Sequence, residues 1–228
     1  MKVVLLHAFP LDERMWEPQR GALAEHEVVA PNLYDLGGNS IDGWAQRILD
    51  EVEGELAAVG ASMGGYVALA MARLAPERIR GLLLAGARPD ADSPERRAGR
   101  AGTIELIERE GAPGLWENQR DKLFGEHAPE DAVELARTMA LSRQVPDLVR
   151  AIEAIRDRPD STGVLQAMPV VLALGAADLF FPVDEARPFA EQAPQGRLIV
   201  FERSRHLPNL EEPAEFNQTL LELLASAG

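Results

Sequence analysis

The stretch from Glu55 to Leu69 constrains this chain most. It reads Glu-Leu-Ala-Ala-Val-Gly-Ala-Ser-Met-Gly-Gly-Tyr-Val-Ala-Leu. It opens as a short apolar run, Leu56 to Val59, of the kind a strand buried on both faces requires. It closes as a helix, with Val67, Ala68, Met71 and Leu74 at helical spacing. Between them sits Gly60-x-Ser62-x-Gly64, followed by Gly65. A chain that passes from strand to helix without a loop turns sharply, and its central residue is held in a strained backbone conformation. Small residues on either side leave room for strand and helix to cross, so the Ser62 side chain is pushed out at the top of the sheet. The Met63 N–H points into the same space, at a helix N-terminus that favours negative charge. A plain tight turn reads much the same way, so the pentapeptide alone does not decide. A dinucleotide-binding turn would carry glycine where Ser62 stands, and the lysine of a phosphate-binding loop is absent. The choice rests on whether a base, an acid and a second oxyanion donor occur elsewhere in a workable order.

Read from the start, Val3 to Leu6 is a continuous apolar run, a buried parallel strand, and His7-Ala8-Phe9-Pro10 follows it as a loop. Asp12 to Ala24 reads as a helix and Val28 to Ala30 as a second short strand. Ser40 can cap a helix whose Ile41, Trp44, Ile48 and Val52 share a face. Ile79 to Ala85 is a fourth strand. From Arg88 to Gln166 the strand pattern stops. The segment is charged and helical, punctuated by Gly111, Pro113, Pro129 and Pro146, and helices are expected over 93–110, 129–142 and 146–156. Strands resume over 169–174 and 197–201, each followed by a helix, 184–192 and 213–225. Alternating strands and helices predict an α/β fold with a parallel sheet, right-handed crossovers and helices on both faces. The block of residues 88–166 is too long for a loop and predicts a helical cap inserted after strand four, with residues 1–87 and 167–228 forming the core. Ligands of open parallel sheets bind beyond the C-terminal ends of the strands, so this cap should roof the site.

At that same edge, Asp178 follows the fifth strand and His206 the sixth. A serine hydroxyl is too weak an acid to attack a carbonyl unaided and needs a base within hydrogen-bond reach. A neutral imidazole accepts that proton and returns it to the leaving group, so activity should fall as acid protonates His206. A carboxylate on the other ring nitrogen fixes the tautomer. Taken singly, Asp178 reads equally as a loop cap and His206 as a solvated side chain. In the order Ser62, Asp178, His206, each after a different strand, they form the constellation that nucleophilic acyl transfer needs.

These motifs resemble the α/β-hydrolase family over nearly the whole chain. His7-Ala8-Phe9-Pro10 is similar to the family's His-Gly-x-Pro loop, Gly60-Ala61-Ser62-Met63-Gly64 to its nucleophile elbow, Gly175-x-x-Asp178-x-x-x-Pro182 to its acid loop, and His206 through Glu211 to Pro213 to its base loop. The resemblance implies Ser62 as nucleophile, His206 as base, Asp178 as acid, and the N–H groups of Phe9 and Met63 as the oxyanion hole. It departs from the pattern at Ala8 and Arg205, where glycine is usual, and at Asn32, where aspartate is common. The chain begins at what would be the family's third strand, without the antiparallel hairpin, so six all-parallel strands are expected. Small carboxylesterases and enol-lactone hydrolases are the most similar members.

The implied function is hydrolysis of small carboxylic esters or lactones. A serine at the elbow argues against the dehalogenase and epoxide-hydrolase chemistries, where an aspartate stands. The rival class is a receptor-like module that binds a ligand with slow or absent turnover. An aminopeptidase would need roof carboxylates, and Glu105, Glu108, Glu117 and Glu134 are better read as a solvated face. Arg88, just past strand four, is a candidate partner for a substrate carboxylate, or alternatively an anchor for the insertion. Asp90 and Asp92 compete with Asp178 for the acid, but their Asp-x-Asp-Ser-Pro stretch reads better as the cap of the first inserted helix. A net charge of −14 makes nucleic acid and anionic membranes poor partners. The absence of cysteine removes disulfides, thiolate metal sites and a thiol nucleophile. No cofactor or metal is called for. No run approaches the roughly 18 apolar residues of a membrane span, and the first residues are too short an apolar run for a signal peptide, so a cytoplasmic setting is expected.

Overall fold

The structure is a computed structural model that describes residues 1–227. Its strands are β1 (Lys2–Leu6), β2 (Glu27–Val29), β3 (Leu56–Ala61), β4 (Ile79–Ala85), β5 (Val170–Gly175) and β6 (Gly196–Phe201). They form one sheet in the order β2-β1-β3-β4-β5-β6, every neighbouring pair parallel. The chain first steps outward to β2 and then crosses back over β1 to β3. The loops after β1 and β3 therefore part at the point where the winding reverses, the usual ligand crevice of an open parallel sheet.

The helices are α1 (Glu17–Arg20), α2 (Ile41–Glu51), α3 (Met63–Leu74), α4 (Pro94–Leu123), α5 (Glu130–Leu141), α6 (Val145–Arg156), α7 (Val183–Gln192), α8 (Pro208–Glu211) and α9 (Pro213–Ala227). Successive strand residues point to opposite faces, and here both faces are covered. Val4, Leu6, Ala58, Leu82 and Leu172 pack with residues of α2 and α3. Val3, Leu5, Val59, Leu83 and Val171 pack with Trp16, Phe216 and Leu220 on the other side. Burying a side chain such as Phe216 contributes roughly 1.5–3 kcal/mol, which explains why these strands read as continuous apolar runs instead of alternating ones.

The helix expected over 12–24 is much shorter. Asp12 caps a single 3-10 turn, Glu13–Trp16, and α1 has four residues. Pro18 lacks an N–H and its ring opposes the carbonyl four residues earlier, so a continuous helix cannot run through it. The opposite difference occurs in the insertion. The helix expected to end at Glu110 continues to Leu123 across a kink at Gly111, whose φ of 65° and ψ of −163° are non-helical. Ser93 caps α4 by accepting the Arg96 N–H, so the capping role in the Asp-x-Asp-Ser-Pro stretch belongs to the serine. Helices α4, α5 and α6 sit over the C-terminal edge of the sheet. Arginines tie them down, Arg143 to Asp12 and Arg150 to the Tyr34 carbonyl, while Arg158 to the Asp90 carbonyl closes the two ends of the insertion on each other. Among the described residues no helix is long and apolar enough to cross a membrane.

Candidate active site

Ser62 lies between β3 and α3 with φ 49° and ψ −112°, and among the described residues it alone combines a side chain with a positive φ. Such a conformation costs on the order of 1–3 kcal/mol and persists only where the surroundings enforce it. The enforcement is the close crossing of strand and helix. A Cβ on Gly60 would run into the Gly64 carbonyl, and one on Gly64 into the Leu6 carbonyl. The Ser62 N–H donates to the Ala85 carbonyl at 2.7 Å, tying the turn to β4. The Met63 N–H, in the first turn of α3, has no carbonyl of its own helix to pair with.

The loop after β1 is held by His7, which is fully buried. Its Nε2 accepts the Leu33 N–H at 2.9 Å, so Nδ1 carries the proton and donates to the Ala8 carbonyl at 3.1 Å. Burial pushes this imidazole down from 6.5 to about 4. The neutral ring stacks on Tyr34 and locks the loop against the chain after β2. The Ala8 N–H is taken by Met15 Sδ and the Leu11 N–H by the Ala8 carbonyl. The Phe9 N–H donates no hydrogen bond among the described residues, and Phe9 borders the same cavity as Ser62.

Asp178 and His206 meet at the ends of β5 and β6. His206 Nδ1–H donates to Asp178 Oδ2 at 2.9 Å, with both side chains almost wholly buried. The other carboxylate oxygen accepts the Phe180 and Phe181 N–H groups at 2.8 and 3.1 Å. The carboxylate is thus aimed by its own turn, and Phe180 packs on the imidazole face. The histidine loop is fastened by two consecutive glutamates. Glu211 accepts the Arg205 and Leu207 N–H groups on either side of His206, and also the Gly125 N–H just beyond α4. Its burial pushes its carboxyl up, partly offset by those donors. Glu212 accepts the Ser204 hydroxyl and the Arg203 N–H.

Ser62, His206 and Phe9 border one cavity of about 280 Å³, which residues of α4 and α6 line as well. Among the described residues no hydrogen bond joins Ser62 to the imidazole. Neither Asp90 nor Asp92 is hydrogen-bonded to it. Asp90 pairs with Arg88 and Arg96, and Asp92 with Arg100 and Arg158. Arg88 borders the cavity, but each of its nitrogens is bonded to Asp90 or Glu185. Glu105, Glu108, Glu117 and Glu134 are all exposed. Arg96 and Arg100 reach the cavity without having been singled out from the sequence. The signal was present, since positions 96, 100 and 103 recur at helical spacing, which places two arginines and Thr103 on one face. Among the described residues, no cluster of three or more His, Asp or Glu is arranged to hold a metal ion.

A model of the alpha/beta hydrolase family matches residues 3–219. Among curated relatives, the pimeloyl-[acyl-carrier protein] methyl ester esterase of Nitrosomonas europaea is 25% identical over 247 residues, spanning 94% of this chain and 92% of that protein. Among solved structures, a thermophilic esterase from Thermogutta terrifontis with malate bound is 32% identical, with a TM-score of 0.91 over 100% of this chain and 90% of that one. The enol-lactonase from Burkholderia xenovorans LB400 shares the fold at 21% identity and a TM-score of 0.84, over 98% of this chain and 90% of that one.

Proposed function

We propose that this chain, which belongs to the alpha/beta hydrolase family, is a serine hydrolase of small carboxylic esters or lactones. The buried Asp178–His206 pair carries the reading, because it opens onto the same cavity as a serine held in a strained turn. Ser62 Oγ attacks the acyl carbon while His206 Nε2 takes its proton. Charge that gathers on the carbonyl oxygen is met by the Phe9 and Met63 N–H groups and by the N-terminus of α3. His206 then hands the proton to the departing alkoxide, leaving an acyl group on Ser62. Water, activated by the same imidazole, releases the acid and restores the serine. Asp178 holds Nδ1–H throughout, so Nε2 is always the nitrogen that faces the serine.

Residues 88–166 act in this reading as the substrate-binding cap over a core of 1–87 and 167–228. The esterase names of the relative from N. europaea and of the structure from T. terrifontis support ester hydrolysis over the other chemistries of the fold. A panel of p-nitrophenyl esters and small lactones, assayed with wild type and Ser62→Ala, tests the proposal. A fluorophosphonate label located on Ser62 by mass spectrometry would support the nucleophile. Acylation without turnover would support the receptor-like alternative instead.

A further inference from the structure

The wall of the cavity carries guanidinium donors that the protein itself does not satisfy. Four guanidiniums, Arg88, Arg96, Arg100 and Arg158, are ion-paired in one network with three carboxylates, Asp90, Asp92 and Glu185. Glu95 and Asp160 lie close to the same cluster, so what distinguishes the arginines is not net charge but which of their donors stay unused. The unused donors are localised. Arg88 spends all three nitrogens on Asp90 and Glu185. Arg158 spends both terminal nitrogens on Asp92, Ile155 O and Asp90 O, and its plane lies over the Tyr66 ring at 4.0 Å. Arg100 is different. Its Nε is pinned to Asp92 at 3.0 Å, and among the described residues its two terminal NH2 groups have no acceptor. Arg96 beside it uses Nη2 on Asp90 and the Ala91 carbonyl, and its Nε is buried without a hydrogen bond. Both side chains border the cavity that holds Ser62 and His206.

A guanidinium fixed through Nε on a fully buried aspartate is a pre-set fork. Two parallel N–H donors match the two oxygens of a carboxylate, a geometry an ammonium cannot reproduce. We infer that Arg100, supported by Arg96, binds an ionised carboxylate that the substrate carries in addition to its scissile ester or lactone bond. The assignment moves the anion contact from Arg88, each of whose nitrogens already holds a carboxylate, to the next turns of α4. It rests on the hydrolase reading above and names the substrate class within it. The hydrolysis adds water across the acyl–oxygen bond, giving a new carboxylate, an alcohol and a proton, while the second carboxylate takes no part. An acyl-side carboxylate therefore makes the product a dicarboxylate, and an alcohol-side carboxylate makes it a hydroxy acid.

Two ester pairs test this and separate the two placements. Monomethyl glutarate is compared with dimethyl glutarate, and 3-acetoxypropionate with its methyl ester. In wild type, kcat/KM for at least one anionic member should exceed that of its neutral counterpart roughly tenfold or more, chiefly through KM. Arg100→Gln should collapse that ratio, and Arg100→Lys should restore part of it. Calorimetry of glutarate with Ser62→Ala protein reads the site without turnover, and the binding should weaken as salt is added. The wild-type comparison needs no variant, so a poorly folded Arg100→Gln does not remove the test. Neutral esters preferred in both pairs, with no saturable glutarate binding, would overturn the inference. So would an anion preference that survives in folded Arg100→Gln. Turnover of p-nitrophenyl acetate without anion preference sinks only this proposal. Glutarate binding without turnover of any ester sinks the hydrolase reading and leaves the anion site standing.

Discussion

The hydroxyl of Ser62 and the carboxylate of Asp178 are where single atoms matter most. In the proposed mechanism Ser62→Ala removes the attacking oxygen and leaves almost no cavity, so ester hydrolysis should fall by about a thousandfold or more while the thermal midpoint stays put. Residual turnover above that level would point to another nucleophile. The candidate acids separate by what they touch. Asp178→Asn lets the imidazole settle in the wrong tautomer and should cost several orders of magnitude in kcat. Asp90→Asn should change kcat less than about tenfold, roughly 1.4 kcal/mol of barrier, because Asp90 is bonded to arginines and not to His206. Burial alone would raise the Asp92 carboxyl, but Arg100 and Arg158 beside it hold it below the usual carboxylate range. Asp92→Asn should leave kcat on neutral esters within the same tenfold, weaken any carboxylate contact made by Arg100, which it holds through Nε, and lower stability, read as an earlier urea midpoint, since it strips the counter-charge from a buried Arg158. The reverse ranking of Asp178 and Asp90 would move the acid to β4.

Among the elements, the base loop between β6 and α9 and the kink of α4 carry strain or anchorage that a neighbouring helix depends on. Glu211 accepts amides from both sides of His206 and from Gly125, so it joins the base loop to the end of α4. Glu211→Gln replaces one carboxylate oxygen by an NH2 group that faces an amide donor. The expected loss is roughly 1–3 kcal/mol of stability, with kcat lowered more than KM because the ring of His206 is set less firmly. Equal changes in kcat and KM would argue for a purely structural role. At the kink, Gly111 occupies a backbone region that is nearly closed to other residues. Gly111→Ala should therefore destabilise the protein by about 1–3 kcal/mol, detectable as an earlier urea midpoint, although the added methyl meets no close contact.

For the molecule as a whole, His7 ties acid stability to the loop beside the serine. Its pKa falls from 6.5 unfolded to about 4 folded, so between those values the unfolded chain holds the extra proton. Stability contributed by the neutral ring is complete above pH 6.5 and is lost as pH falls towards 4. The full loss is on the order of 3 kcal/mol. Urea midpoints measured at pH 7, 5.5 and 4.5 should decline through this window, and His7→Asn should flatten the decline while lowering the starting value. A midpoint indifferent to pH down to 4.5 would mean that His7 is protonated in the fold.

What the sequence determined by itself was local or periodic. Continuous apolar runs announced β1, β3, β4 and β5 because strands buried on both faces need no polar alternation, and the glycine spacing around Ser62 announced the sharp turn because no side chain fits that crossing. The placement of Ser62, Asp178 and His206 at one sheet edge was legible because each follows a strand there, while their catalytic roles remain the proposal. Two element ends were local signals weighed wrongly in the sequence, since Pro18 by its own ring breaks a helix that spacing favoured and Gly111 with Pro113 bends α4 without ending it. The tertiary structure decided what depends on partners distant in the chain. Arg88 had the right address for an anion, yet Glu185, nearly a hundred residues away, and Asp90 engage each of its three nitrogens. Arg100 was left with a free fork because Asp92 holds only its Nε. Which guanidinium retains unsatisfied donors is a sum over every carboxylate that the fold brings within reach, and that sum exists only once the chain has folded.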